Sequence, residues 1–145
     1  MTKIEKSYIA GIIDGEGNIS LTKYKHPNGK NGYCLFPTVQ IANTNIEFLL
    51  EINELIKGKI FIAKRKIYTN HKPKGIIYFK GKNNVLNFLK EITPYLRIKK
   101  KQSEIVMKYC ERRKDCSTRF NYSNKDWEDA ELMKKLNLRG MQVGT

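Results

Sequence analysis

The 145-residue sequence predicts an α+β fold in the order αββαββα, with four strands in one antiparallel sheet and further helices toward the C-terminal end. Two observations carry that prediction. Two segments alternate apolar and polar residues and double back through turn-rich tips, which is the pattern of hairpins with one buried face. Apolar residues at helical spacing precede each hairpin and follow the second, and three of these helical segments open on capping-box spacings.

The elements follow in order along the chain. Thr2 with Glu5 has capping-box spacing, so a first helix starts near Lys3 and runs to about Asp14, with Gly15 at its C-terminal end. Ile19, Leu21, Val39 and Ile41 fall on one parity, while Ser20, Thr22, Tyr24, Thr38 and Gln40 fall on the other, and HPNGKNG between the two runs supplies a flexible basic tip. Thr44 with Glu47 repeats the capping box ahead of a helix closed by Gly58. Ile60 and Ile62 share a parity, TNHKPKG turns the chain, and GIIYFKG returns it as the second hairpin. Val85, Leu86, Phe88, Leu89 and Ile92 make the next helix, stopped by Pro94. SEIVMKYCERR is helical with Ile105, Val106 and Tyr109 inward, and Ser123 with Asp126 opens a last helix through Trp127, Ala130, Leu132 and Met133. The chain is one domain's worth: a core over about residues 2–101, a helical appendage over about 102–136 and a tail over 137–145, poorly ordered unless it docks or binds phosphate through Arg139.

Charge points to the partner. The net charge is +14, and it is concentrated: Asn18 to Ala42 holds three lysines and no acid, and Lys57 to Lys82 holds nine Lys or Arg and no acid. Single-sign fields on two defined segments suit a polyanion. Neither segment is a basic amphipathic helix, and no run approaches the ~20 apolar residues of a membrane span, so nucleic acid is expected and a membrane is not. No secretion signal is evident at the N-terminus, and three cysteines, Cys34, Cys110 and Cys116, read as reduced thiols, so the expected setting is intracellular, in an organelle or a prokaryotic cytoplasm. His26 and His71 are expected in hairpin loops, touching solvent or phosphate.

The open face of such a sheet carries, by parity, Ser20, Thr22, Tyr24, Thr38, Gln40, Arg65, Tyr78 and Lys80. These are types that read base edges in a major groove, where Arg and Lys favour guanine, Gln favours adenine and Thr meets the thymine methyl. Lys25, Lys30, Lys59, Lys64, Lys66, Lys72 and Lys74 flank that face and are expected to meet phosphates.

The segment Ile9–Gly17 reads IAGIIDGEG, an apolar helical run thinned by Ala10 and Gly11 that closes on Asp14 and Glu16. Two acids at a helix C-terminus oppose the helix dipole by a few tenths to about 1 kcal/mol each, so a cation is expected there, most naturally a hard divalent metal. Small residues on an apolar helix let a second backbone approach closely.

This segment resembles the signature of the LAGLIDADG homing endonucleases, with Ile9 in place of Leu, Gly15 of Ala and Glu16 of Asp. The element order extends the resemblance from about residue 2 to Lys101. It implies a homodimer, because the chain carries one signature, with Ile9, Ala10, Gly11, Ile13 and Asp14 where the paired signature helices meet. It implies that Glu16 and the carbonyl of Gly15 hold Mg²⁺, with Mn²⁺ able to substitute and Ca²⁺ binding without supporting cleavage. Asp14 then mainly secures the helix junction by hydrogen bonding. Lys99 matches the family's active-site basic residue, and Asn43 falls where relatives carry a water-positioning Gln, or else serves as a turn residue before Thr44. The activity so implied is metal-dependent double-strand cleavage of a long pseudo-palindromic DNA target, promoting mobility of the encoding intron. An RNA maturase that binds intron RNA is the alternative.

Overall fold

The computed structural model describes residues 1–63, 72–116 and 120–138, and at Lys30 the backbone alone. Helix α1 spans Lys3–Glu16, β1 Gly17–Lys30, β2 Tyr33–Asn43, α2 Ile46–Ile56, β3 Lys59–Ile62, β4 Gly75–Lys80 and α3 Lys82–Ile92. A 3-10 turn at Thr93–Tyr95 leads to α4, Lys100–Arg113, and then to α5, Asn124–Leu136. The four strands form one antiparallel sheet, as the alternating pattern predicts, and their order is β1-β2-β4-β3.

One face of the sheet is covered and the other is open. Ile19, Leu21, Val39, Ile41 and Ile77 point to the covered face and are buried with Ile9 and Ile13 of α1, Leu49 and Ile52 of α2 and Val85 and Leu89 of α3. The covered face brings helices close. A side chain at Gly58 would collide with Ile77 Cγ2 at 2.8 Å and meet the Phe79 ring at 3.1 Å, so contact with the sheet requires glycine there. Gly58 is therefore not the left-handed residue that ends α2: that conformation belongs to Lys57, at φ 57°.

The helix boundaries correct the sequence reading in two places. The Thr2 box forms as predicted, with Glu5 N–H donating to Thr2 Oγ1 (3.1 Å) and Thr2 N–H to Glu5 Oε2 (2.7 Å), but α1 continues through Asp14 and Gly15 to Glu16 and is capped by Gly17 in extended conformation. At α2 the cap is Asn45, whose side chain accepts from Phe48 N–H (3.1 Å), and not Thr44 with Glu47. Amide oxygens cap as well as hydroxyls, and Asn45 stands one residue nearer the helix.

The first hairpin extends to its tip. Strands β1 and β2 leave only Asn31 and Gly32 between them, with φ of 56° and 79°, the positive values that a tight Asn-Gly hairpin turn needs. His26 lies not in a loop but within β1, half-buried, with its ring tilted by 36° against that of Phe120 and ring centroids 4.8 Å apart. His71 lies outside the described residues.

The C-terminal helices are part of the core and not an appendage to it. The boundary expected near residue 101 falls inside α4, and Val106, Tyr109 and Cys110 of α4, Tyr122, and Ala130 and Met133 of α5 join the same buried cluster. Asp126 and Asp129 of α5 take Arg112 between them, with Nη2–O distances of 2.9 and 2.6 Å, and Arg113 reaches Asp126 from the other side. Burial opposes ionisation of Asp126, but hydrogen bonds from the Ser123 backbone and Arg112 outweigh it and hold the carboxyl below its ordinary range. Where β2 runs past the end of β4, the Tyr122 hydroxyl accepts from the buried Leu35 N–H at 3.0 Å. Asn137, placed in the tail by sequence, instead donates from Nδ2 to the Ile19 carbonyl on edge strand β1 at 2.9 Å. The rest of the tail, from Arg139, lies outside the described residues.

Candidate active site and nucleic-acid interface

The end of α1 and the start of α4 are tied together reciprocally. Asp14 accepts three backbone hydrogen bonds, to Oδ2 from Arg97 (2.9 Å) and to Oδ1 from Ile98 (3.1 Å) and Lys99 (2.9 Å), just where the unpaired N–H groups of α4 begin. Lys99 returns the contact: its ammonium donates to the carbonyls of Ile13 (2.9 Å), Asp14 (3.3 Å) and Gly17, the last turn of α1. Each helix end thus receives the charge its dipole favours, from the other helix. For Asp14 the cation anticipated from the sequence is unnecessary, because the N-terminal end of α4 answers its charge. The junction role implied for Asp14 is what the geometry gives it.

Glu16 is the acid left for an external cation. It is exposed at the border of the sheet, and Asn43 Nδ2 donates to its Oε2 at 2.9 Å. Asn43 Oδ1 accepts from Asn45 N–H at 2.8 Å, so the residue fills both roles open to it from sequence: it turns the chain into α2 and fixes an acid. Both ends of its amide are engaged by protein. Lys99 donates to the carbonyls of Ile13 and Asp14 in α1 and of Gly17, its C-cap, which makes it a residue that positions the end of α1, and through it Glu16. Gly15 lies inside α1, exposed beside Glu16.

The signature helix has two faces, and the sequence reading assigned them imperfectly. Ile9, Ala10 and Ile13 are 0% exposed and belong to this chain's own core, so these three form no surface for a partner, while the half-buried Asp14 is held by the backbone ahead of α4. The exposed stripe is Ile4, Tyr8, Gly11 and Gly15, spaced four, three and four residues apart, with Ile4 83% and Tyr8 54% exposed. Of the five residues expected at a helix pairing, Gly11 alone lies on it. The misassignment arises because an apolar helix shows no periodicity that tells a face turned to its own core from one left exposed. The stripe borders a groove lined by Tyr8, Gly11, Gly15, Glu16, Asn43 and Phe48, so the surface and the acid adjoin.

The open face of the sheet carries the residues that parity predicts. Ser20, Thr22, Tyr24, Thr38, Gln40, Tyr78 and Lys80 lie opposite the buried positions, and none is fully buried. Ser20 Oγ and Thr38 Oγ1 are 2.6 Å apart and bond each other, so one of the two O–H donors is already engaged before any base approaches. Lys25, farther along β1 opposite Tyr33, is exposed. Lys64, Arg65 and Lys66 lie outside the described residues, as does the side chain of Lys30. Register moves Lys59, expected at the margin, onto the open face opposite Tyr78, and adds residues the first reading missed: Phe61 opposes Ile76, Ile76 opposes Ala42 and Asn18 opposes Gln40. The signal was available, because placing Ile60 and Ile62 inward sends Lys59 and Phe61 outward.

Fold and site together define a class: an α+β scaffold presenting an open, basic antiparallel sheet, with an exposed carboxylate at a helix end on its border. The family model described as LAGLIDADG endonuclease matches residues 9–110, and the chain belongs to that family. Among solved structures it is similar to the homing endonuclease I-CvuI in complex with its target (TM-score 0.74, 17% identity, 98% of this chain and 87% of that one). It is similar also to the archaeal intron-encoded homing endonuclease I-Vdi141I complexed with DNA (TM-score 0.74, 20% identity, 98% and 89%). The homing endonuclease I-SmaMI bound to cleaved DNA matches at TM-score 0.69 and 15% identity over 95% of this chain, but this chain spans only 45% of that one. No curated protein matches at the sequence level.

Proposed function

We propose that this chain is a site-specific DNA endonuclease that acts as a homodimer, makes Mg²⁺-dependent double-strand breaks at a long pseudo-palindromic target inside a cell, and so mobilises the intron that encodes it. The observation that carries the reading is the exposed Glu16 at the meeting point of the basic sheet and the Tyr8–Gly11–Gly15 stripe. A partner on that stripe brings a second Glu16 near the first and sets two open sheets side by side, one for each half-site. The 45% span within I-SmaMI supports the dimer, since that chain has length for two such units.

The donor set fits Mg²⁺. No cluster of three His, Cys, Asp or Glu exists among the described residues, but Mg²⁺ keeps several waters and takes one or two carboxylates together with substrate phosphates. Glu16 and the Gly15 carbonyl would hold it; Mn²⁺ meets the same donors, and Ca²⁺ with its looser geometry binds without supporting cleavage. When bound, the ion supplies positive charge to the phosphate and acidity to a water. Asn43 fixes the Glu16 carboxylate, Asp14 and Lys99 fix the helix end that carries it, and the lysines at the sheet's margins bind backbone phosphates.

The test is cleavage of a randomised duplex pool by the full chain in Mg²⁺ and in Ca²⁺. Discrete cuts at one pseudo-palindrome in Mg²⁺, with retention uncut in Ca²⁺, are expected. Retention of structured RNA with no cutting in either ion overturns the reading.

Gly11→Ala separates folding from assembly. A Cβ at Gly11 meets nothing within 4 Å in this chain, so the substitution should raise the monomer's stability by roughly 0.5–1 kcal/mol through helix propensity. Wedged between two close helices, the same methyl should weaken the dimer about tenfold by sedimentation equilibrium. Unchanged dimerisation would move the interface off the α1 stripe.

A further inference from the structure

The open face of the sheet is organised as rows. Antiparallel register aligns Phe61, Ile76 and Ala42 in one cross-strand row, Lys59, Tyr78, Gln40 and Asn18 in the next, Lys80, Thr38 and Ser20 in the third, and Phe36 with Thr22 in the fourth. Successive rows are two residues apart, about 6.7 Å along a strand, close to two base-pair steps of a duplex. The first row is the one nearest Glu16, because Gly17 opposes Ile41 and Glu16 meets Asn43 just beyond Ala42.

Chemistry changes along the rows. The second and third can offer ammonium, amide and hydroxyl groups to base edges. The first has no hydrogen-bonding side chain at all. Phe61 is 58% exposed, although it sits on an edge strand where an open aromatic ring is an aggregation liability, and Lys59 flanks it in the next row. Side chains of this kind cannot read donors and acceptors; what they can distinguish in a major groove is the C5-methyl of thymine.

We infer that the base pairs of each half-site nearest the cut are selected by apolar contact of Phe61 and Ile76 with a thymine methyl group, while the rows farther out read hydrogen-bonding edges. The occupant of the apolar row is the inner end of the same duplex that lies on the basic rows, with which the row is continuous. This rests on the DNA-endonuclease reading of the sheet.

Deoxyuridine tests it, because it pairs as thymine does and lacks only the methyl group. Duplexes are selected from a randomised pool by the full chain in Ca²⁺. Each thymine of the preferred duplex is then replaced singly and affinity is measured. Thymine should be selected on one strand at the inner pairs, and deoxyuridine there should weaken binding about fourfold, the value of one buried methyl-sized group. Phe61→Ala, a change at an exposed position, should abolish that sensitivity while leaving discrimination at the Gln40 row intact. Inner pairs selected without thymine, no loss on replacement, or unchanged sensitivity in Phe61→Ala overturns the inference alone. A pool that yields no preferred duplex overturns the endonuclease reading and the inference with it.

Discussion

Glu16→Gln should lower the single-turnover rate of DNA cleavage by about 10³-fold, equivalent to about 4 kcal/mol of lost transition-state stabilisation, and leave duplex affinity within about threefold. The prediction isolates charge from shape. Asn43 Nδ2, 2.9 Å from Glu16 Oε2, can donate to a glutamine oxygen as well as to a carboxylate, so the side chain keeps its anchor and the border of the sheet keeps its form. Affinity measured without divalent ions should stay level or rise slightly, since a negative charge beside the incoming phosphates is removed. A fall in cleavage below tenfold would mean that metal is held elsewhere. Loss of binding together with cleavage would reassign Glu16 to folding or dimerisation.

The fold was legible in the sequence because its determinants are periodic. Period-two alternation over β1, β2 and β4 named the buried face, and the Thr2 and Ser123 capping boxes marked helix starts that the structure reproduces. The junction between α1 and α4 was not legible in its geometry, because Asp14 and the amides of residues 97–99 are more than eighty positions apart and a capping carboxylate from another helix leaves no local spacing. The same limit explains Lys99. Within RIKKK its neighbours are also lysines, and only the three-dimensional position of the α1 carbonyls distinguishes it from them. The exposed stripe of the signature helix was misread for a different reason: Ile9, Ala10 and Ile13 look as suited to a partner as to a core, and the presence of the sheet beneath them decides the matter.

Asp14→Ala should destabilise the protein by about 2–3 kcal/mol, lowering Tm by roughly 5–10 °C for a chain of this size. The sign is the informative part. Judged on α1 alone, an acid in the last turn opposes the helix dipole, and removing it should stabilise by up to about 1 kcal/mol. The structure reverses that expectation, because three N–H groups leading into α4, from Arg97, Ile98 and its N-cap Lys99, lose a charged acceptor at once. Lys99→Met should cost about 1–2 kcal/mol, the loss of a charged donor to the α1 carbonyls. The two side chains hold the same pair of helix ends, so once α4 is released Lys99 has little left to clamp. The double variant should therefore be about as unstable as Asp14→Ala alone, a coupling of about 1 kcal/mol or more in a double-mutant cycle followed by urea denaturation. Additive losses would show two independent caps, and a rise in stability for Asp14→Ala would show that the junction does not form.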